Sequence, residues 1–173
     1  MEITLRDGGP DDVPAILGML DGCVEWLVAQ GRTEQWGTKP LSQNPGTVES
    51  VRRSLDEHSV YMADVDGRPA GTLTLAESPG ASLSHLPPPG EPERYIRWLA
   101  TDRRFGGRGV GSALLAHAAR ETRRAGVSLL RVDCYAGHDG GLVRYYESQG
   151  FTRAEAFTVG EHRWPGRLLA RRL

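Results

Sequence analysis

The sequence predicts one α/β (α+β) domain, residues 1–173, in which helices flank a mixed central β-sheet. Strand-like runs cluster in the middle of the chain, and helical patterns are interspersed between them. The length of 173 residues is that of a single domain with room for a sizeable core. Hydrophobic residues make up 39% and charged residues 25%, which is typical of a globular protein.

The first third of the chain predicts one strand and two helices. A strand is expected at residues 2–6, and Asp11 can then cap a helix with its side-chain oxygen. Apolar residues recur at helical spacing and form one buried face: Val13, Ile16, Leu17, Leu20, Val24, Leu27 and Val28. Gly31 suits the left-handed position after a helix, and Gly and Pro make residues 32–46 loop-like. Thr47 is expected to cap the second helix.

The middle of the chain predicts a β-hairpin followed by a loop and a strand. Strand-like runs flank Asp66-Gly67, a pair that favours a tight hairpin turn because both turn positions require positive φ. Residues 78–92 are rich in Pro, Gly and Ser, so a surface loop is expected there. Residues 95–101 then predict another strand.

The last third predicts a helix, a strand, a second helix and a closing hairpin. The first helix, residues 110–125, would bury one stripe of apolar side chains: Val110, Leu114, Leu115, Ala118 and Ala119. An apolar strand is expected at residues 127–134, and Asp139 can cap a helix that ends at Gly150. The remaining strand-like runs are expected to pair as a hairpin: residues 151–159 and 163–171.

Composition excludes several classes of function. The sequence has no apolar run near the roughly 18 residues that a membrane span needs, so no membrane partner is expected. The first twelve residues are polar and acidic, unlike a secretory signal, so a cytoplasmic location is expected. Cys23 and Cys134 have neither zinc-ligand spacing nor a disulfide framework, so no metal is expected. A net charge of −1 argues against nucleic acid as a partner.

The near-neutral total hides two oppositely charged segments. Residues 1–30 carry six acids and one Arg, whereas residues 94–131 carry nine Arg and two acids. Lys39 is the only lysine among 21 basic residues. A GC-rich genome explains most of the arginines, but a basic segment also favours an anionic ligand because Arg fits phosphate.

The strongest chemical signal is a glycine-rich turn between a predicted strand and a predicted helix. It runs Gly106-Gly107-Arg108-Gly109-Val110-Gly111-Ser112, with Arg103 and Arg104 just before it. Glycines let the main chain approach a ligand closely, and the amides of the first helical turn lack intrahelical partners. Such a turn favours binding of a phosphate group.

Two common nucleotide motifs fit this turn incompletely. A Walker A loop requires Lys after its second glycine, and Ser112 stands there instead. A dinucleotide fingerprint would use Gly107 and Gly109, but its third glycine is again Ser112. Asp133 lies where a ribose-binding acid could stand, so a nucleotide-dependent oxidoreductase remains an alternative.

Two motifs in order resemble the GCN5-related N-acetyltransferase (GNAT) family. The family's cofactor motif, Arg/Gln-x-x-Gly-x-Gly/Ala after a strand ending Leu-Ala-Val, is similar to Leu99-Ala100-Thr101 followed by Gly106 to Gly111. Gly106 stands where the family usually has Arg or Gln. The later motif resembles residues 146–151, Tyr-Glu-Ser-Gln-Gly-Phe, with Asp139 in place of the usual Asn. The order of elements agrees over nearly the whole chain.

The resemblance implies acetyl transfer from acetyl-CoA, as co-substrate, to an amine by direct attack. It implies that the main chain of the strand end pairs with the pantetheine arm and that the glycine-rich turn holds the pyrophosphate. The implied cofactor-binding residues are Leu99, Ala100, Thr101, Gly107, Arg108, Gly109, Val110, Gly111, Ser112 and Asp139. It further implies that Tyr146 is the general acid for the leaving thiolate.

The acceptor amine and the residues that bind it are what the sequence determines least. Glu34 and Trp36 are candidates for lining its site, with Trp36 either a substrate platform or an anchor. The general base stays open among four residues: Glu25, Glu34, Glu77 and His162. A small-molecule amine and a peptide amine are both compatible, and so is a homodimer. The departures at Gly106 and Asp139 leave a catalytically weak acyl-CoA-binding sensor or scaffold as a further alternative.

Overall fold

The computed structural model describes all 173 residues and contains seven strands and five α-helices. In chain order they are β1 (Ile3–Asp7), α1 (Val13–Ala29), α2 (Thr33–Trp36), α3 (Pro45–Glu57), β2 (Ser59–Val65), β3 (Arg68–Ala76), β4 (Arg94–Thr101), α4 (Val110–Arg124), β5 (Leu129–Tyr135), α5 (Gly141–Ser148), β6 (Thr152–Val159) and β7 (Trp164–Arg172). The predicted alternation of helices around clustered strands is confirmed, with small shifts at the boundaries.

The seven strands form one mixed sheet in the order β1-β2-β3-β4-β5-β7-β6. Strand β4 pairs with β5 in parallel, with Tyr95 opposite Arg131. The pairs β1–β2, β2–β3, β5–β7 and β6–β7 are antiparallel. The predicted mixed α/β architecture is therefore confirmed, including the closing hairpin of β6 and β7.

The first compact unit comprises residues 1–75 and 98–118. Its core forms where α1 and α3 pack on the sheet, and the buried members are Val13, Ile16, Met19, Leu20, Val51, Val60, Met62 and Ala100. Most of the predicted apolar face of α1 is buried, but Val28 is 40% exposed and Met19 takes a core position instead. All five residues of the predicted apolar stripe of α4 are buried: Val110, Leu114, Leu115, Ala118 and Ala119.

The second compact unit comprises residues 76–97 and 119–173. Its apolar cluster contains four buried residues, Leu83, Tyr95, Phe157 and Leu168. The Arg131 guanidinium donates two hydrogen bonds to the Glu93 carboxylate, at 2.6 and 2.8 Å. Both residues are buried, so this is an internal ion pair within the second unit.

The predicted hairpin at Asp66-Gly67 is confirmed. Both residues have positive φ, 49° and 80°, as a two-residue hairpin turn requires. The amide of Glu2 also donates to the Asp66 carboxylate at 2.9 Å, which ties β1 to the turn.

The predicted caps of α1 and α3 were wrong. Asp11 lies in a short 3₁₀ turn, Pro10–Asp12, and α1 starts after it. Asp12, rather than Asp11, is the acid that stabilises this turn. Its carboxylate accepts from the Gly9 amide at 2.9 Å and pairs with Arg6 at 2.9 Å. For α3 the cap is Asn44, whose side chain accepts from the Gly46 amide, rather than Thr47. Proline at position 45 explains the earlier start because proline is favoured in the first helical turn.

Two predicted loops contain more order than expected. Residues 32–46 include α2 and a 3₁₀ turn at Leu41–Gln43. In residues 78–92, a turn at Ala81–Leu83 buries Leu83 in the second unit's cluster. Arg97 adds two hydrogen bonds to this loop, donating to the carbonyls of Ser78 and Pro79.

None of the helices combines the length and apolar character needed to cross a bilayer.

Candidate active site

The glycine-rich turn presents its main chain openly. Gly107 and Gly109 have φ of 75° and 82°, a region that L-residues with side chains rarely adopt. A Cβ built on either residue would meet no atom within 4 Å. The space beside these two residues is therefore free for a ligand to reach the backbone, and the turn fits a diphosphate.

The start of α4 supplies the amides of this turn. The amide of Ala113 donates to the Gly109 carbonyl at 3.0 Å and so begins the helical pattern. The amides of Val110, Gly111 and Ser112 precede it, in the turn whose N–H groups have no intrahelical acceptor. The dipole of the helix adds partial positive charge at this end, so the three amides favour an anion.

Gly71 on β3 sets the position of α4 within the first unit. A Cβ on Gly71 would lie 2.6 Å from Val110 Cγ1 and 2.9 Å from Leu114 Cδ1. The helix can therefore approach the strand closely only because residue 71 has no side chain. This contact also positions the glycine-rich turn, since Val110 is the first residue of the helix.

A side chain at residue 106 would lie close to the turn that precedes it. Residues Arg103–Phe105 form a 3₁₀ turn, and a Cβ on Gly106 would lie 3.2 Å from the Arg103 carbonyl oxygen. Because that distance is tighter than ordinary van der Waals contact, a glycine relieves crowding at this position. The Asp102 side chain caps the turn by accepting from the Arg104 amide at 2.9 Å.

The three arginines near the turn differ in their surroundings. Arg104 forms a forked ion pair with Asp102, with its closest contact at 2.6 Å. The guanidinium of Arg103 lies over the Trp26 ring, 4.0 Å from its centroid. Arg108 lies 5.6 Å from the centroid of Phe105. Neither Arg103 nor Arg108 forms an ion pair, so their charges are available to a ligand.

The role of Trp26 was missed, because no local sequence pattern signals its contact with Arg103.

The end of β4 places the three predicted strand residues in different surroundings. Ala100 is buried in the core of the first unit, whereas Leu99 and Thr101 are half-buried. The Cys23 thiol donates to the Thr101 carbonyl at 3.5 Å, which is one contact between α1 and the strand end.

In the second unit, Tyr146 lies on α5 with its ring packed between aromatic neighbours. The ring meets Tyr145 and Phe151 edge-to-face, with centroids 5.4 and 5.8 Å apart. Burial raises the pKa of Tyr146, and the neighbouring Cys134 thiol adds to the effect. The phenol therefore keeps its proton near neutral pH, as a proton donor must.

Asp139 contributes to the start of α5 as predicted, although the residue directly before the helix is Gly140. The Asp139 Oδ1 atom accepts from the amide of Gly141, the first residue of α5, at 2.9 Å. Its other oxygen lies 3.8 Å from a nitrogen of Arg144. Arg144 therefore compensates part of the negative charge that a carboxylate brings where the family usually has an amide.

Asp133 is engaged inside the second unit rather than open to a ribose. The Tyr95 hydroxyl donates to its carboxylate at 2.5 Å. Burial raises the pKa of Asp133, an effect that outweighs the opposing hydrogen bond from Tyr95. This engagement removes the feature that favoured the dinucleotide alternative.

Replacing Asp133 by Asn is expected to change how stability depends on pH. Because the folded pKa of Asp133 lies above its unfolded value, its protonated form contributes stability below the unfolded pKa. That contribution is lost as the pH rises from the unfolded pKa through the folded one, since the buried carboxyl must then ionise. An asparagine at position 133 does not ionise and escapes this cost.

The free energy of unfolding of Asp133→Asn minus that of the unchanged protein should therefore be larger at about pH 7 than at about pH 3.5. Chemical denaturation at the two pH values measures this difference in the free energy of unfolding. Asp56→Asn is the control, because it makes the same change of side chain at an exposed position on α3. A difference for Asp133→Asn that stays constant or falls with pH would contradict the assignment.

The two cysteines are poor nucleophiles in this structure. Burial raises the pKa of the Cys134 thiol to about 12, and the nearby charge of Asp133 contributes. Burial also raises the pKa of Cys23. Both thiols therefore stay protonated at neutral pH, and neither suits an acyl carrier.

The candidate acceptor residues lie on α2. Glu34 is exposed, whereas Trp36 is half-buried and packs against the core cluster of α1 and α3. This packing favours the anchor interpretation of Trp36 over the platform. The other candidate bases, Glu25, Glu77 and His162, are all exposed. No group of three or more His, Cys, Asp or Glu side chains is arranged to hold a metal ion.

Comparisons with known proteins agree with these features. The acetyltransferase (GNAT) family matches residues 21–151. The chain is 26% identical over 164 residues to YesJ of Bacillus subtilis (strain 168), described as an uncharacterized N-acetyltransferase, covering 88% of this chain and 83% of YesJ.

Solved structures share the fold. Ribosomal-protein-alanine N-acetyltransferase from Brucella melitensis superposes with a TM-score of 0.66 at 21% identity, covering 98% of this chain and 99% of the other. PaiA N-acetyltransferase from Thermoplasma acidophilum, in complex with coenzyme A, gives 0.68 at 14% identity and covers 100% of both chains. At these identities the likeness concerns the fold alone.

Proposed function

Since this chain belongs to the GNAT family of acetyltransferases and is an acetyl-CoA-dependent N-acetyltransferase, we propose that it acetylates a primary amine of a small molecule or peptide by direct attack. The observation that carries the proposal is the open glycine-rich turn at the start of α4. Residues 1–173 would act as one catalytic domain in the cytoplasm, and the chain could form a homodimer.

The turn and the strand before it are the proposed cofactor-binding residues. Main-chain amides from Gly107 to Ser112 would hold the diphosphate, and Arg108 would add charge. The strand end at residues 99–101 would pair through its main chain with the pantetheine arm, and Asp139 would contribute from the start of α5. When bound, acetyl-CoA supplies an activated thioester. The protein's contribution is to position it and to exclude competing water.

Tyr146 is the proposed general acid. Its phenol is protonated near neutral pH, as any phenol is at its ordinary pKa, and burial raises that pKa further. A phenol in that state can donate its proton to the sulfur as the thiolate leaves.

Direct attack is favoured over an acyl-enzyme. Transfer through a cysteine would need a thiolate, and burial raises the pKa of both Cys23 and Cys134. The amine must therefore attack the thioester itself, and it must be neutral to do so. Glu34 and Trp36 on α2 are proposed to lie near the acceptor.

Replacing Tyr146 by Phe tests the acid assignment. We expect turnover to fall by about a hundredfold, the scale of general acid catalysis, because the leaving thiolate loses its proton donor. The affinity for CoA should change little, since the variant removes only one oxygen atom. Thiol release with a panel of amines measures turnover, and calorimetry measures CoA binding.

Tyr145→Phe is the matched control, because it removes the same oxygen from the adjacent residue of α5. Its turnover should stay close to that of the unchanged protein. Turnover that survives in Tyr146→Phe would contradict the acid role. If the unchanged protein binds CoA without turnover on any amine of the panel, the sensor or scaffold alternative is supported instead.

A further inference from the structure

The guanidinium of Arg103 lies beside the position that a side chain at residue 106 would use. A Cβ on Gly106 would be 3.7 Å from the Arg103 Nη2 atom and 3.9 Å from its Cζ atom. Both distances are ordinary van der Waals contact, so the guanidinium lies directly against the position of a Cβ at residue 106. We propose that Arg103, held in place by Trp26, binds the diphosphate of CoA in place of the side chain that Gly106 lacks.

Trp26 keeps the guanidinium at this position. Its ring centroid lies 4.0 Å from Arg103 Cζ, a distance typical of a stacked cation–π contact. Stacking on a ring face leaves the N–H groups at the edge of the guanidinium free to bind an anion. Arg103 is exposed and forms no ion pair, so a ligand can reach it.

The neighbouring arginines do not offer the same arrangement. Arg104 is committed to Asp102 by a forked ion pair, and its side chain is 78% exposed. Arg108 lies within the turn and can add charge, but its guanidinium is near the Phe105 ring rather than beside residue 106. Arg103 is therefore the arginine whose charge and position suit a phosphate beside residue 106.

The inference rests on the proposed function, since it assumes that CoA binds at the turn. A guanidinium can donate two parallel hydrogen bonds to phosphate oxygens, and these are among the stronger bonds in proteins. CoA carries phosphate in its diphosphate and in its 3′-phosphate. Proximity to the first glycine of the turn favours the diphosphate.

Calorimetric titration of Arg103→Ala with CoA and with dephospho-CoA tests the assignment. We expect the Kd of both ligands to rise by about tenfold or more, because dephospho-CoA keeps the diphosphate. Trp26→Leu should raise both values by a smaller factor, about threefold, since it releases the guanidinium without removing it. Thermal unfolding shows whether each variant is folded.

Arg53→Ala is the matched control, because Arg53 is an exposed arginine of α3 paired with Glu49. It should leave both Kd values unchanged. Unchanged binding in Arg103→Ala would overturn the inference, as would an effect confined to CoA, which would indicate the 3′-phosphate. Failure of the unchanged protein to bind CoA would overturn the proposed function itself.

Discussion

Gly109→Val should lower the affinity for CoA by at least about a hundredfold. The valine side chain would occupy the open space beside the turn, where no atom now lies within 4 Å of a Cβ. A phosphate could then no longer approach the main-chain amides. The φ of 82° also disfavours a β-branched residue, so a cost of about 1–2 kcal/mol in stability is expected.

Gly126→Val separates the loss of binding from this backbone strain. Gly126 follows α4, has a φ of 75°, and likewise has no atom within 4 Å of a Cβ. Both variants should lose similar stability, measured by denaturation, but only Gly109→Val should lose CoA binding, measured by calorimetry. Equal affinities in the two variants would show that the turn does not hold the diphosphate.

Arg131→Met should destabilise the fold by about 3–5 kcal/mol. The substitution leaves the Glu93 carboxylate buried without the two hydrogen bonds it now accepts. The exposed fractions are 6% for Glu93 and 8% for Arg131, so water cannot readily replace the lost partner. Chemical denaturation measures the difference in the free energy of unfolding.

The double variant Arg131→Met with Glu93→Gln should recover part of this loss, because no unpaired charge remains inside. Arg153→Met is the surface control, since its partner Glu147 is exposed and the pair is screened by water. A loss in Arg131→Met no larger than in Arg153→Met would show that the buried pair contributes little.

Local patterns explain how much of the fold could be predicted. The hairpin at Asp66-Gly67 and the stripe of α4 depend on neighbouring residues alone. The caps of α1 and α3 were mispredicted because several suitable side chains compete near each start. Asp12 is selected by its contact with Arg6, and proline after Asn44 brings the start of α3 forward.

The candidate site likewise has one part that the sequence predicts and one part that it does not. The glycine-rich turn is contiguous, so its open backbone could be predicted from composition and position. The stacking of Arg103 on Trp26 and the bond from Tyr95 to Asp133 join residues distant in the sequence. No local pattern identifies such partners, because the fold alone brings them together.

The contact between position 106 and Arg103 has a consequence for how this turn can evolve. A side chain at residue 106 would begin in contact with the guanidinium of Arg103, because its Cβ would lie 3.7 Å from the Nη2 atom. Substitutions at the two positions should therefore be epistatic: each alters what the other can tolerate.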